Sequence, residues 1–266
     1  MEKIVLVQHT RNEDNGAADF ACYLAALTNS VITAVFLDNE FQAESYSGRT
    51  VEQLPDKKKS ADERIAAFKK SCETKSIRCA VHIEKGDPAS QIIRESRYAD
   101  ILIVAGDTGL EPVTEDIPTS FLSHILHHSE CPVFIAPVSF AQTNQIIFAN
   151  DGSKAAMYAI RQFSYLFPQL DDNKITVLQV RDGDNADPSA EHELLKGWLR
   201  THYNSIGFMT IHGDTETSLL AYLVKKENAI VVLGAYGRSS LASVFRKSHA
   251  DPLIRLLNQP IFIAHP

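Results

Sequence analysis

The sequence predicts an α/β protein made of two tandem, doubly wound units, each a five-stranded parallel sheet with crossover helices. Three observations carry that expectation. The chain has 266 residues, about the length of two domains of usual size, each able to bury its own core. It also repeats itself: counting forward by 128 positions takes Gly106 to Gly234, Gly109 to Gly237, Ser120 to Ser248, Pro132 to Pro260 and Ala136 to Ala264. A repeat of that length fixes the architecture before any single element is read. Within each copy, short β-branched runs alternate with helix-length segments, the pattern of parallel strands joined by crossover helices.

Taken in order, the first copy reads as strands at Ile4 to Val7, Val31 to Leu37, Ile77 to Ile83, Ile101 to Ala105 and Val133 to Ala136. The second reads as strands at Ile146 to Ala149, Ile175 to Val180, Phe208 to His212, Ile230 to Leu233 and Ile261 to Ala264. The front ends "KIVLVQHT" and "QIIFANDG" match at a larger shift than the back ends, so the first copy carries extra residues. These fall in the polar stretch "NEFQAESYSGRTVEQLPDKKK", before the second helix.

Helix starts are signposted. Ser60 with Glu63 has capping-box spacing, and Asp87-Pro88 and Asp187-Pro188 each offer a side-chain cap followed by proline at the first helical position. From Ser153 onward, Ala156, Ala159, Ile160, Phe163 and Leu166 form one apolar stripe at helical spacing. The polar connection "SFAQTN", Ser139 to Asn144, divides the chain into units 1–139 and 144–266.

Composition is that of an ordinary globular protein, with 44% hydrophobic and 22% charged residues. No apolar stretch approaches the roughly 20 residues of a membrane-spanning helix. The start "MEKIVLVQHT" lacks the basic head and long apolar middle of a secretory signal, and the expectation is a cytoplasmic protein. Cys22, Cys72, Cys79 and Cys131 show no C-x-x-C spacing, so they read as reduced and mostly core thiols. A net charge of -7 disfavours nucleic-acid and anionic-membrane partners, which repel an anionic molecule at long range. An anionic ligand must therefore be held by local groups.

"VVLGAYGRSSLASVFRKS", residues 231–248, offers such groups. Open α/β sheets place ligands at the carboxyl ends of their strands. Gly234 and Gly237 let backbone approach a phosphate without a β-carbon intervening. The helix that opens near Ser248 presents unpaired N–H groups and a positive dipole end to an anion. Charge separates the copies. Arg238, Arg246 and Lys247 lie between Gly234 and Ser248, whereas Asp107, Glu111, Glu115 and Asp116 lie between Gly106 and Ser120. A polyphosphate a few ångströms from carboxylates meets repulsion of about 1 kcal/mol per pair even when well screened, so only the second loop is hospitable. Glycines after a strand and a serine at a helix start also serve as plain turn and cap chemistry, which is the reading for the first copy.

"DGS" at 151–153 after a strand, then G-x-x-G, then a small residue and serine opening the last helix, resembles the universal stress protein family, and two copies in one chain resemble its tandem, Rossmann-like form. The resemblance spans essentially the whole chain. It implies that Asp151 contacts adenine, that Gly234 and Gly237 hold ribose and phosphates, and that Ser248 binds phosphate; Arg238 and Lys247 join them as cations read from the loop's own charge. The implied cofactor is ATP, or AMP or ADP, with Mg²⁺ as a companion ion. The implied action is a regulatory switch in a stress response, acting on a protein partner, and the implied assembly is an internal pseudo-dimer through "VFIA" and "IFIA", with a homodimer of the whole chain left open. Lys247 stands where the family's third glycine sits, a place from which it could crowd the phosphate or supply a cation to it. In the first copy His9 replaces the aspartate and Thr119 that third glycine, so the amino-terminal site looks degenerate.

Other features are weaker. "HILHHSE" sets His124, His127 and His128 at helical spacings that could bring two imidazoles together over a metal; no third ligand is identifiable, and a solvated or packing role is the expectation. "DKKKSADER" reads as a solvated helix entry, and Trp198, among Leu194, Leu195 and Leu199, as core. No G-x-x-x-x-G-K-[ST] loop is present, and "NDGSK" lacks the second glycine and later aspartate of an ATP-pyrophosphatase loop. Asp151 alone does not supply the acidic set that phosphate cleavage needs, so the chain is not expected to be an enzyme. The alternatives are a protein-interaction module whose glycine loops are vestigial and a slow adenine-nucleotide hydrolase.

Overall fold

The computed structural model describes residues 1–9, 16–37, 61–84, 87–106, 120–181, 189–234, 257–264 and 266. The chain divides into two compact units, Met1–Phe140 and Ala141–Pro266.

Unit 1 runs β1 (Lys3–His9), α1 (Gly16–Thr28), β2 (Val31–Leu37), α2 (Ala61–Thr74), β3 (Cys79–Glu84), α3 (Pro88–Ser96), β4 (Ile101–Ala105), α4 (Ser120–His128) and β5 (Val133–Ala136). Its strands lie in the order β3-β2-β1-β4-β5, and each neighbouring pair is parallel. Unit 2 runs β6 (Gln145–Ala149), α5 (Lys154–Leu166), β7 (Lys174–Arg181), α6 (Ser189–Leu199), β8 (Ser205–His212), α7 (Thr215–Leu223), β9 (Ala229–Gly234) and β10 (Ile261–Ala264). Its order is β10-β9-β6-β7-β8, again parallel throughout.

The apolar runs are buried because both faces of a parallel sheet are covered by helices. Ile4, Leu6, Ile101, Leu102, Ile103 and Val104 have no exposed surface in unit 1, nor do Ile146, Ile147, Phe148, Ile230 and Val231 in unit 2. Aromatic rings lock the helices onto the sheets. Phe20 of α1 meets Phe134 of β5 edge-on at 4.9 Å, and Phe163 of α5 meets Phe262 of β10 at 5.3 Å.

Local signals account for several boundaries. Asp87 accepts a hydrogen bond from the Ser90 N–H at 2.9 Å, with Pro88 at the first helical position. Ser153 caps α5 by accepting from the Ala156 N–H at 3.1 Å. Along α5 the stripe Ala156, Ala159, Ile160 and Phe163 is buried, while Leu166 is half-buried. Ser60 and the Asp187-Pro188 pair lie outside the described residues.

Two strands differ from expectation. β3 starts at Cys79 rather than Ile77, because Ile77 N–H still closes helix α2 by donating to the Cys72 carbonyl at 2.8 Å, with Ser76 at φ 55°. That is the six-to-one closure of a helix end. β8 starts at Ser205 rather than Phe208, because β7 offers a continuous parallel partner from Lys174↔Ser205 to Arg181↔His212, which carries the strand through Gly207.

Trp198 is a correction. Leu195 and Leu199, four apart, face the sheet and are buried, whereas Leu194 is 73% exposed and Trp198, four further on, is half-buried. The indole stacks on His202 with ring centres 4.0 Å apart. Four cysteines are free thiols; Cys22 and Cys72 are buried, Cys79 and Cys131 half-buried. Burial pushes Cys131 up to about 12, which suits an inert packing thiol. Among the described residues no helix is long and apolar enough to cross a membrane.

Candidate functional site

In unit 2 the chain leaves β6 toward β7 and β8 on one side, then returns to place β9 on the other. The gap between β6 and β9, past their carboxyl ends, is therefore the point where strand order reverses and where open α/β sheets hold ligands. β6 and β9 pair with Ile146 beside Ile230 and Phe148 beside Val232. Asp151, three residues past Phe148, and Gly234, the last residue of β9, thus lie at the same edge of the sheet.

The turn at Asp151 is held by its own side chains. Asn150 N–H donates to the Leu178 carbonyl at 2.9 Å, anchoring the exit from β6 on β7. Gly152 N–H donates to Asn150 Oδ1 at 3.0 Å, and Ser153 N–H donates to Asp151 Oδ1 at 2.8 Å. Gly152 takes a φ of 76°, the left-handed region that glycine occupies at no steric cost. One carboxylate oxygen of Asp151 is thereby used to shape the turn, and the half-buried side chain sits directly before the capped amino end of α5.

Gly234 serves close approach. A β-carbon there would lie 2.4 Å from both the Ala155 carbonyl carbon and the Ala156 nitrogen. The end of β9 is consequently pressed against the first turn of α5, so that Asp151, the α5 amino end and Gly234 form one corner. Two participants were not singled out from sequence. Asn150 is buried within the turn, and the carboxylate of Glu191 on α6 lies 3.8 Å from where a β-carbon of Gly152 would stand. The turn-forming run Asn-Asp-Gly carries a signal for the first; nothing in sequence brings Glu191 to Gly152.

The structure brings Asp151 and Gly234 to the switch point. Gly237, Arg238, Lys247 and Ser248 lie outside the described residues, as do Gly109 and Thr119 of the first copy. In unit 1, His9 ends β1, which sits between β2 and β4 at the matching position. A separate cleft of about 590 Å³ opens beside Lys3, Asn29, Val31 and Arg78. It lies at the amino ends of the unit 1 strands, away from either switch point. Among the described residues no three His, Cys, Asp or Glu side chains converge to hold a metal ion. His124, His127 and His128 are exposed on α4.

Residues 1–137 match the universal stress protein family. No curated protein matches the chain. Among solved structures, a universal stress protein from Archaeoglobus fulgidus superimposes with a TM-score of 0.62 at 16% identity, covering 98% of this chain and 96% of that one. A candidate universal stress protein from Pseudomonas aeruginosa gives the same TM-score at 12% identity, covering 100% of this chain and 94% of that one. At these identities the likeness is one of fold. A shorter family member from Arabidopsis thaliana, solved with AMP bound, aligns over 50% of this chain and 88% of its own at 18% identity, with a TM-score of 0.33.

Proposed function

This chain belongs to the universal stress protein family, and on that premise we propose that its carboxyl-terminal half binds an adenine nucleotide, ATP in the first place, as a regulatory switch rather than as a substrate. The observation that carries the reading is that Gly234 ends β9 while Asp151 follows the end of the adjacent parallel strand β6 by two residues, on either side of the unit 2 switch point. The second carboxylate oxygen of Asp151 suits an acceptor for the exocyclic amine of adenine. The β-carbon-free edge at Gly234 suits close backbone approach to ribose and phosphate.

Phosphate charge needs balancing in a chain of net charge -7. Arg238, Arg246 and Lys247 in the same loop segment supply it, with Mg²⁺ as companion ion and Ser248 as hydroxyl donor. The first copy, with His9 at the aspartate position and four acids in its loop segment, lacks that complement. Occupancy of the second site would bias the segment from Ala235 to Lys247 and hence a surface offered to a protein partner.

Isothermal titration of ATP into the full chain, with and without Mg²⁺, tests the reading. One nucleotide per chain is expected, with no phosphate released over hours. Absence of both heat and thermal shift at millimolar ATP overturns it in favour of a nucleotide-free interaction module, and steady phosphate release identifies a hydrolase instead.

A further inference from the structure

Helix α4 buries Phe121, Leu122, Ile125 and Leu126 and turns His124, His127 and His128 to solvent. His124 and His128 are four apart, so they lie one above the other on the same helical face. Their ring centres are 4.4 Å apart, with the planes tilted by 48°.

That spacing has a metric meaning. A metal–nitrogen bond of about 2.0–2.1 Å plus roughly 1.2 Å from nitrogen to ring centre puts each imidazole about 3.2 Å from a shared ion, hence about 4.5 Å from its neighbour at a right-angled bite and about 5.2 Å at the tetrahedral angle. The observed 4.4 Å fits the right angle. His127 and His128, with centres 6.2 Å apart, would need an angle of about 150°, which matches neither geometry.

We propose that His124 and His128 form a bidentate surface site for a divalent ion of tetragonal preference, copper(II) before nickel(II), with water completing the coordination. Right-angled nitrogen coordination is what those two ions favour, and copper(II) heads the affinity order for such ligands. The net charge of -7 draws a cation toward the surface. Glu130, two residues on, is paired through Oε1 with Arg97 Nε at 2.7 Å, and the ligands proposed are the two imidazoles. The site is independent of the nucleotide reading, being on the other unit.

The test uses the full chain without any histidine tag. Copper(II) chloride is titrated by calorimetry, and the bound ion is examined by electron paramagnetic resonance. One ion at micromolar or tighter affinity, with two nitrogen couplings, is expected. His124→Ala and His128→Ala should each weaken binding about tenfold or more, by analogy with the loss seen when a metal site is disturbed, while His127→Ala should leave it unchanged. All three positions are exposed, so the variants should unfold like the parent when metal is absent. No binding to the parent chain, equal affinity in the His124→Ala or His128→Ala variants, or equal loss in His127→Ala overturns the assignment.

Discussion

Gly234 stands so close to Ala155 that a β-carbon on the glycine would lie 2.4 Å from the alanine carbonyl carbon. Both partners are backbone, so neither can rotate away. The contact fixes the end of β9 against the beginning of α5, and it makes the glycine a structural requirement of the corner as well as a feature of the loop.

Gly234→Ala should therefore force β9 and α5 apart. Overpacking of this kind costs typically about 1–3 kcal/mol, and urea unfolding should show a loss of that order together with weaker nucleotide binding. An unchanged midpoint would mean that the two elements shift freely and that the corner is not rigid. Gly16→Ala is a parallel case in unit 1, where the β-carbon would meet the Val138 and Pro137 carbonyl oxygens at 2.3 and 2.4 Å.

Nucleotide binding should respond to two changes of different kinds. Gly237→Val should abolish it by placing a branched side chain where phosphate approaches. Asp151→Ala should weaken it about 10- to 100-fold, the scale of one hydrogen bond to a charged group. Parallel changes at Gly109 and His9 should leave the titration as it is. If Gly237→Val and Asp151→Ala both titrate like the parent chain, the ligand does not sit at this switch point.

Tyr203 is buried and donates to Ser164 Oγ at 2.8 Å. Burial pushes its phenol from 10.0 up to about 12, while the Ser164 hydrogen bond acts in the opposite direction. Between those values the unfolded chain has released the proton and the folded chain still holds it. The unfolded state then binds fewer protons, so stability, fully present below pH 10, should fall as pH rises toward 12, with a limiting slope of about 1.4 kcal/mol per pH unit. Urea midpoints across that window should decline in the parent and decline less in Tyr203→Phe. The variant should also lose about 1 kcal/mol at neutral pH from the Ser164 bond.

Asp214 caps α7 by accepting from the Thr217 N–H at 2.9 Å. Asp214→Ala should cost about 0.5–2 kcal/mol, whereas Asp214→Asn, which keeps the acceptor, should be nearly neutral. Equal losses in both variants would show that charge, not the hydrogen bond, holds this helix end.

The periodic elements were legible because they are driven by burial. Strands such as Val31–Leu37, Ile101–Ala105, Val133–Ala136 and Ile261–Ala264 are apolar runs covered on both faces, and such runs announce themselves without partners. Caps at Asp87 and Ser153 are equally local, since donor and acceptor lie within one helical turn. The corner itself was only half readable. Asp151 and Gly234 stood out through repeat spacing and family likeness; Gly234 ends β9, and Asp151 stands two residues past the end of its neighbour β6.

What a linear reading could not supply is everything that depends on which distant segment arrives beside a residue. Gly234 looks like a loop glycine until the Ala155–Ala156 peptide is set against it; Glu191 carries no mark of its place near Gly152. Trp198 sits in a leucine-rich run and is still only half-buried, because helical periodicity names an apolar stripe but not which residues beside it the sheet will cover. The two histidines of α4 were a spacing in the chain and became a 4.4 Å pair only in the folded helix. Short-range propensity and hydrophobic pattern travel with the sequence; contact between remote backbones exists only once the core has closed.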